Sequence, residues 1–231
     1  AGLCLGGYVC EPGSCSAAGG KVVGGVCGGA EMCPAGHWCA AGEEPAACPE
    51  GTFSSSRGNA ALADCTPCEA GHFCAERGLT GPSGLCAADY YCSRGSLSRT
   101  PDAAGLGLAV SADYNSSALW PGLVFGGGLC PAGSQCVEGS REPEACRAGT
   151  FMKRPGASAC EECPQGYYCG AGTVDFEEYP CPRGYFCGAG TRFDVEHPCP
   201  PGTFGSQPGS GSVLGCDDAP PGSYVSGSGS A

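Results

Sequence analysis

The chain has 231 residues, of which Leu, Ile, Val and Phe supply 31, about 13%, too few for an apolar core to hold a chain of this length. Its 11 Lys and Arg stand against 23 Asp and Glu, a net charge of −12, so it lacks the clustered cations that displace counterions from a nucleic acid. Gly and Pro make up 63 residues, about 27%, a proportion usual in disordered chains, but 22 cysteines, about 10%, point instead to a disulfide scaffold.

The cysteine count is even, as full pairing requires. Persistent pairing needs an oxidising compartment, which places the protein outside the cell or in the secretory lumen. The sequence starts at Ala1 without Met, as a mature form or a fragment would, and no apolar run approaches the ~20 residues of a membrane span. The acidic balance reads first as a solvated surface, with weak calcium binding or a basic partner as the lesser alternatives.

Residues 1–32 form a degenerate N-terminal segment. Cys4 and Cys10 enclose five residues and Cys15 and Cys27 eleven, while Gly19, Gly20, Gly24 and Gly25 replace an aromatic turn seen later. Loop is expected here, with a short strand at Lys21–Val23.

The first cysteine-rich module, 33–92, contains Cys33, Cys39, Cys48, Cys65, Cys68, Cys74, Cys86 and Cys92. A second, 130–218, repeats the order with Cys130, Cys136, Cys146, Cys160, Cys163, Cys169, Cys181 and Cys187, and continues through Cys199 to Cys216. The intervening counts are 5, 8, 16, 2, 5, 11, 5 in the first and 5, 9, 13, 2, 5, 11, 5 in the second, a tandem array. The clearest repeat is CPQGYYCGAGTVDFEEYP from Cys163, followed without a gap by CPRGYFCGAGTRFDVEHP from Cys181. A short loop type, such as CPAGHWC at Cys33, alternates with a long type, CPEGTF at Cys48, CRAGTF at Cys146 and CPPGTF at Cys199. Pro sets φ at a turn's second residue and Gly supplies a positive φ two places on, so each motif reads as a tight turn whose aromatic lies against a disulfide. The expected fold is small disulfide-rich repeats: an elongated tandem array of short β-hairpins and loops, almost without helix.

Between the modules lies a cysteine-free insertion, 93–129, with Leu106, Leu108, Val110, Leu119, Trp120, Leu123, Val124 and Phe125 and the single sequon, Asn115-Ser116-Ser117. Asn115 is a glycosylation candidate and so an exposed one. Leu119, Trp120, Leu123, Val124 and Phe125 are candidate partner contacts, the alternative being a hairpin that covers its own disulfides. Residues 219–231 have the composition of a flexible Gly/Ser tail.

Spacing alone does not fix connectivity. At the chain's end, however, Ala219 and Val225 align with Cys163 and Cys169, so two cysteines are missing together. That suggests local rings: Cys4–Cys10, Cys33–Cys39, Cys68–Cys74, Cys86–Cys92, Cys130–Cys136, Cys163–Cys169 and Cys181–Cys187. Cys48–Cys65, Cys146–Cys160 and Cys199–Cys216 then close the long type, leaving Cys15–Cys27. An interlocking ladder, with Cys163 joined to Cys181, fits the spacing as well.

No catalytic residue, cofactor or metal site is expected. Cys65-x2-Cys68 and Cys160-x2-Cys163 lack the further ligands of a structural zinc site. His37 and His72 occupy slots filled by Tyr167 and Tyr185 in sister repeats, and His197 the slot of Tyr179. No nucleophile elbow, HExxH, P-loop or EF-hand pattern occurs. The pairs Glu161–Glu162, Glu177–Glu178 and Asp217–Asp218 read as solvated loop edges.

The alternation of CPxGTF and its trailing C-x2-C with CPxGYYC resembles the ephrin-receptor-like, or GCC-type, cysteine-rich repeat, a relative of modules in tumour-necrosis-factor and growth-factor receptors. The Ala- and Gly-rich usage is similar to that of algal and protist repeat proteins, including mastigoneme (flagellar hair) proteins. The resemblance implies a non-catalytic rod on a cell or ciliary surface, a spacer or filament subunit contacting other copies, co-filament chains and glycans. The alternative is a ligand-binding or adhesion ectodomain of a receptor. Closing a 15-residue loop is worth about 3 kcal/mol, so reduction is expected to unfold the protein. Loss of hydrogen-exchange protection on dithiothreitol treatment checks this, and native protection after full reduction rejects it.

Overall fold

The computed structural model describes residues 4–10, 21–23, 26–28, 31–101 and 126–231. One seven-residue loop recurs throughout, starting at Cys4, Cys33, Cys48, Cys68, Cys86, Cys130, Cys146, Cys163, Cys181, Cys199 and Ala219; we call each a rung. In every rung the carbonyl of the second residue accepts a hydrogen bond from the amide of the fifth, as from His37 to Pro34 or Tyr167 to Pro164, at 3.0–3.3 Å. The fourth residue is glycine with φ between 77° and 91°, from Gly7 to Gly222, the signature of a type II turn with glycine at its third place. The exception is Asp89 at φ 73°, the one non-glycine residue with positive φ among the described residues. Proline, where present, is therefore the turn's first residue and not its second. It supplies the accepting carbonyl, and the conformational demand falls on glycine alone.

Rung joins rung through backbone. From the Cys146 rung to the Cys163 rung, the Gly149 amide donates to the Cys169 carbonyl at 2.8 Å and the Gly149 carbonyl accepts from the Cys163 amide at 2.9 Å. A second glycine, three residues past the rung, completes the step: the Gly172 amide donates to the Cys146 carbonyl at 2.7 Å, and the Met152 amide to the Thr173 carbonyl at 3.1 Å. The same four bonds, at 2.7–3.1 Å, link the Cys33 rung through Cys48 and Cys68 to Cys86, and the Cys130 rung through every later one to Ala219. The second glycines, from Gly58 to Gly229, also have φ between 74° and 81°.

Where a second rung follows, the turn glycine also lies against the second glycine two rungs on, while Gly202 and Gly222, in the last two rungs, make no such contact. A methyl group on Gly149 would sit 2.5 Å from the Gly190 carbonyl oxygen, on Gly133 2.6 Å from that of Gly172, and on Gly51 2.7 Å from that of Gly95. Gly36 meets Gly78 and Gly184 meets Gly229 in the same way. These contacts leave no room for a Cβ.

Disulfides brace the rungs from inside. Cys4–Cys10, Cys33–Cys39, Cys68–Cys74, Cys86–Cys92, Cys130–Cys136, Cys163–Cys169 and Cys181–Cys187 each span a sequence separation of 6, with Cα atoms 5.7–6.0 Å apart. In the long type the first cysteine reaches past the rung instead, as Cys48–Cys65, Cys146–Cys160 and Cys199–Cys216. Cys163 and Cys181 are not joined, so the units do not interlock; Cys15 and the side chain of Cys27 lie outside the described residues. Among those residues the buried apolar side chains are cysteines together with Phe151, Met152 and the prolines Pro49, Pro67 and Pro101. Sulfur is the core.

Secondary structure is short because each rung offers only two or three residues to pair. Among the described residues nine two-stranded antiparallel pairs form, for example Thr150–Phe151 with Glu161–Glu162 and Thr203–Phe204 with Asp217–Asp218. The helical elements among the described residues are 3₁₀ turns at Leu62–Asp64, Phe176–Glu178 and Val213–Gly215. By contact the chain divides into two compact units, Ala1–Leu129 with Glu138–Glu142, and Cys130–Val137 with Pro143–Ala231.

Three segments differ from expectation. The N-terminal segment is not all degenerate: Cys4–Cys10 is a regular rung whose Gly7 bonds to Cys39 and Cys33, while Lys21–Val23 is the short strand expected, paired with Val26–Gly28. The insertion begins later than the cysteines suggest. Gly95 and Ser96 belong to the Cys86 rung's bonding, and Gly127–Leu129 pairs with Tyr90–Cys92. The Gly/Ser tail is a rung: Ala219 and Val225 bond to Gly202, Gly229 to Cys199 and Ser230 to Gly205.

Gly149 and Gly202 share φ near 90°, yet a methyl on Gly202 would meet nothing within 4 Å. Gly202→Ala is expected to cost about 1 kcal/mol through backbone strain, and Gly149→Ala on the order of 3 kcal/mol because a carbonyl must also move. Denaturant unfolding of the oxidised variants checks the difference, and equal losses reject it.

Candidate functional site

The residues singled out by sequence fall into three groups. The first is the cysteines of the two CxxC pairs, each tied to a separate partner: Cys65 to Cys48 and Cys68 to Cys74, Cys160 to Cys146 and Cys163 to Cys169. Their sulfurs are cystine and present no thiolate. The second group, Asn115 with Leu119, Trp120, Leu123, Val124 and Phe125, lies outside the described residues.

The third group is the histidines, which the fold keeps in separate rungs. His37 is half-buried, its Nδ1 3.3 Å from the Ala35 carbonyl. His72 pairs through its backbone with Leu85. His197 stacks on Phe186, with ring centroids 5.5 Å apart and planes at 19°. None faces a nucleophile or a carboxylate among the described contacts, and no group of three or more His, Cys, Asp or Glu placed to hold a metal occurs among the described residues.

Aromatic packing is concentrated around the Cys163–Cys169 disulfide. Phe151 is buried against both sulfurs, with Tyr167 and Phe176 packed over them. Phe176 meets Phe151 edge-on at 4.8 Å and Tyr167 at 5.0 Å. The 3₁₀ turn that places Phe176 is capped by Asp175, whose carboxylate accepts from the Glu177 amide at 3.1 Å. Lys153 Nζ bridges to Asp175 at 2.9 Å and Glu177 at 3.7 Å. Its hydrogen bond lowers the Asp175 pKa and raises that of the lysine.

Beside this turn a shallow depression of about 410 Å³ is lined by Tyr168, Gly170, Gly172, Val174, Glu178 and Tyr179, among others. Tyr168 and Tyr179 meet edge-to-face at 5.6 Å, held by the Tyr168 amide donating to the Tyr179 carbonyl at 3.1 Å. In the sister repeat the corresponding positions, Arg192 and Glu196, are joined to each other. There the Arg192 guanidinium donates to Glu196 Oε1 from Nε at 3.1 Å and from Nη2 at 2.6 Å, and its backbone amide donates to Oε2 at 2.8 Å. Sequence reading left the depression unnoticed because it took Glu177 and Glu178 together as solvated. The signal was Val174 standing where the sister repeat has Arg192, with the glutamate Glu178 kept as Glu196.

No protein-family model matches the chain, and a search of curated proteins finds no match.

The Arg192 hydrogen bonds hold the Glu196 carboxyl down to about 2 from an ordinary 4.5. A carboxylate that titrates lower when folded stabilises the fold above its unfolded pKa near 4.5 and loses that contribution as pH falls from there toward 2. In Arg192→Gln the Glu196 titration midpoint, followed by NMR, is expected to return toward 4.5. A midpoint that stays near 2 rejects the assignment.

Proposed function

We propose that this protein is a non-catalytic extracellular structural protein, a disulfide-braced spacer or a subunit of a surface or ciliary filament of the mastigoneme type. The observation that carries the reading is the repetition of one backbone step, four hydrogen bonds from rung to rung, within each unit. Such a step uses no special side chain, tolerates repetition and resists local opening, which suits a part that must keep its length and not change shape. The many disulfides suggest a secreted or extracellular setting, and among the described residues no helix is long and apolar enough to cross a membrane. Copies of the chain or co-filament subunits are the proposed partners, with glycans at Asn115.

A second reading, a ligand-binding or adhesion ectodomain, is favoured by one feature: the exposed apolar side chains of the second unit, among them Phe193, Val195, Leu214 at 90% and Tyr224 at 85% exposure.

Sizing and electron microscopy of the secreted protein separate the two. Concentration-dependent assembly into regular fibres is expected. A stable monomer that captures a defined protein ligand overturns the structural reading.

A further inference from the structure

We infer that the depression between Tyr168, Val174, Glu178 and Tyr179 is a docking slot for an arginine side chain of a basic partner. The inference stands apart from whether the protein is a filament subunit or a receptor.

The two adjacent eighteen-residue repeats supply the argument. Tyr168 and Tyr179 correspond to Phe186 and His197, Glu178 corresponds to Glu196, and Val174 to Arg192. Both repeats hold their aromatic pair by one backbone bond, Tyr168 to Tyr179 at 3.1 Å and Phe186 to His197 at 2.9 Å. In the second repeat the glutamate is satisfied from within the loop, because Arg192 folds onto it with two donors. In the first, Val174 cannot supply a cation, and Glu178 makes no ion pair or hydrogen bond among the described residues. The local backbone differs too, since the 3₁₀ turn Phe176–Glu178 has no counterpart in the second repeat. Glu178 therefore stands on the rim of an open depression instead of folding inward.

What surrounds Glu178 selects a guanidinium. Lys153 is taken by Asp175 and Glu177, so two carboxylates share one ammonium and Glu178, which has no partner among the described residues, adds uncompensated negative charge at the slot. The edge-to-face tyrosine pair presents a π face, which attracts a cation, and most readily the flat, weakly hydrated guanidinium. The floor is bare glycine: a methyl on Gly170 or Gly172 would meet no atom within 4 Å, so a planar group can approach the backbone. Val174, 44% exposed, offers an apolar wall for the arginine's methylene stem. The net charge of −12 draws a basic partner to the surface in the first place.

The test uses the peptide acetyl-Gly-Arg-Gly-amide, its neutral citrulline counterpart and maltose, each titrated against the intact oxidised protein at low salt while the tyrosine ring resonances are followed by NMR. The arginine peptide is expected to shift the Tyr168 and Tyr179 signals and the other two to leave them in place. Glu178→Gln is expected to weaken the arginine peptide roughly threefold or more. Val174→Arg should abolish the shift by placing a guanidinium in the slot from within, as Arg192 does one repeat later. Equal shifts from citrulline, a response to maltose alone, or undiminished binding by both variants overturns the proposal. Glu178→Gln changes one exposed atom and leaves the fold intact, so the test survives if Val174→Arg perturbs the loop.

Discussion

The structure depends on backbone approaching backbone where no side chain can stand between. A turn glycine donates one hydrogen bond and accepts another across the step to the next rung, and lies against a carbonyl of the rung after that. Gly149 does all of these, to Cys169, Cys163 and Gly190. A Cβ would break the third contact, and an L-residue would resist the φ near 90° that makes the first two possible. An abundance of glycine that in most chains weakens structure is here the condition for it. A left-handed residue without a side chain is the only one that lets three turns meet.

Cystine and hydrogen bonding have separate tasks. Among the described residues, disulfides close single rungs or tie a long loop to its own rung, and none crosses from one rung to the next turn. The hydrogen bonds make the step between rungs. The Ala219 rung shows the separation: it has no disulfide, yet its four bonds to the Cys199 rung fall in the same 2.7–3.1 Å range as the others. Where the second cysteine of a rung is missing, the slot is filled in different ways. Ser54 receives the Asn59 amide at 2.9 Å, Met152 fills with thioether, and Gly205 leaves the slot to backbone, since a methyl there would meet the Gly184 nitrogen at 2.6 Å. The rung is thus a backbone object that disulfides keep from unravelling in the unfolded direction, by restricting the chain when it opens.

This division explains what could be read from sequence. Cysteine spacing carried the rungs, because a sequence separation of 6 and one of 14 or 17 leave different counts, and the paired absence at Ala219 and Val225 pointed to local closure. Phe151, Tyr167 and Phe176 packing over Cys163 and Cys169 matches an aromatic laid against a disulfide. The step between rungs was invisible. It is made of main-chain groups, and its one side-chain mark, a second glycine such as Gly172 or Gly209, looks like loop filler. For the same reason residues 219–231 read as a linker: Gly222 and Gly229 are turn and ladder positions, but composition cannot distinguish a glycine that is free from one that is required. At the Tyr168–Tyr179 depression the reading failed for another reason. A carboxylate's environment depends on whether its loop holds a cation, which only the alignment of Val174 against Arg192 reveals.

The same economy decides where such a protein can carry specificity. Since the steps use backbone, the residues between the second glycine of one rung and the first cysteine of the next are released from holding the fold. That interval is where the two best-matched repeats part: Val174, Asp175 and Phe176 in one, Arg192, Phe193 and Asp194 in the other. One loop winds into a 3₁₀ turn tied to Lys153 and the other closes on itself through Arg192 and Glu196, while the four bonds beneath each are unchanged. Charge, aromatic surface and shape can therefore differ from rung to rung at no cost to the ladder. A regular scaffold and a locally distinctive surface are compatible in this chain because they are built from different atoms.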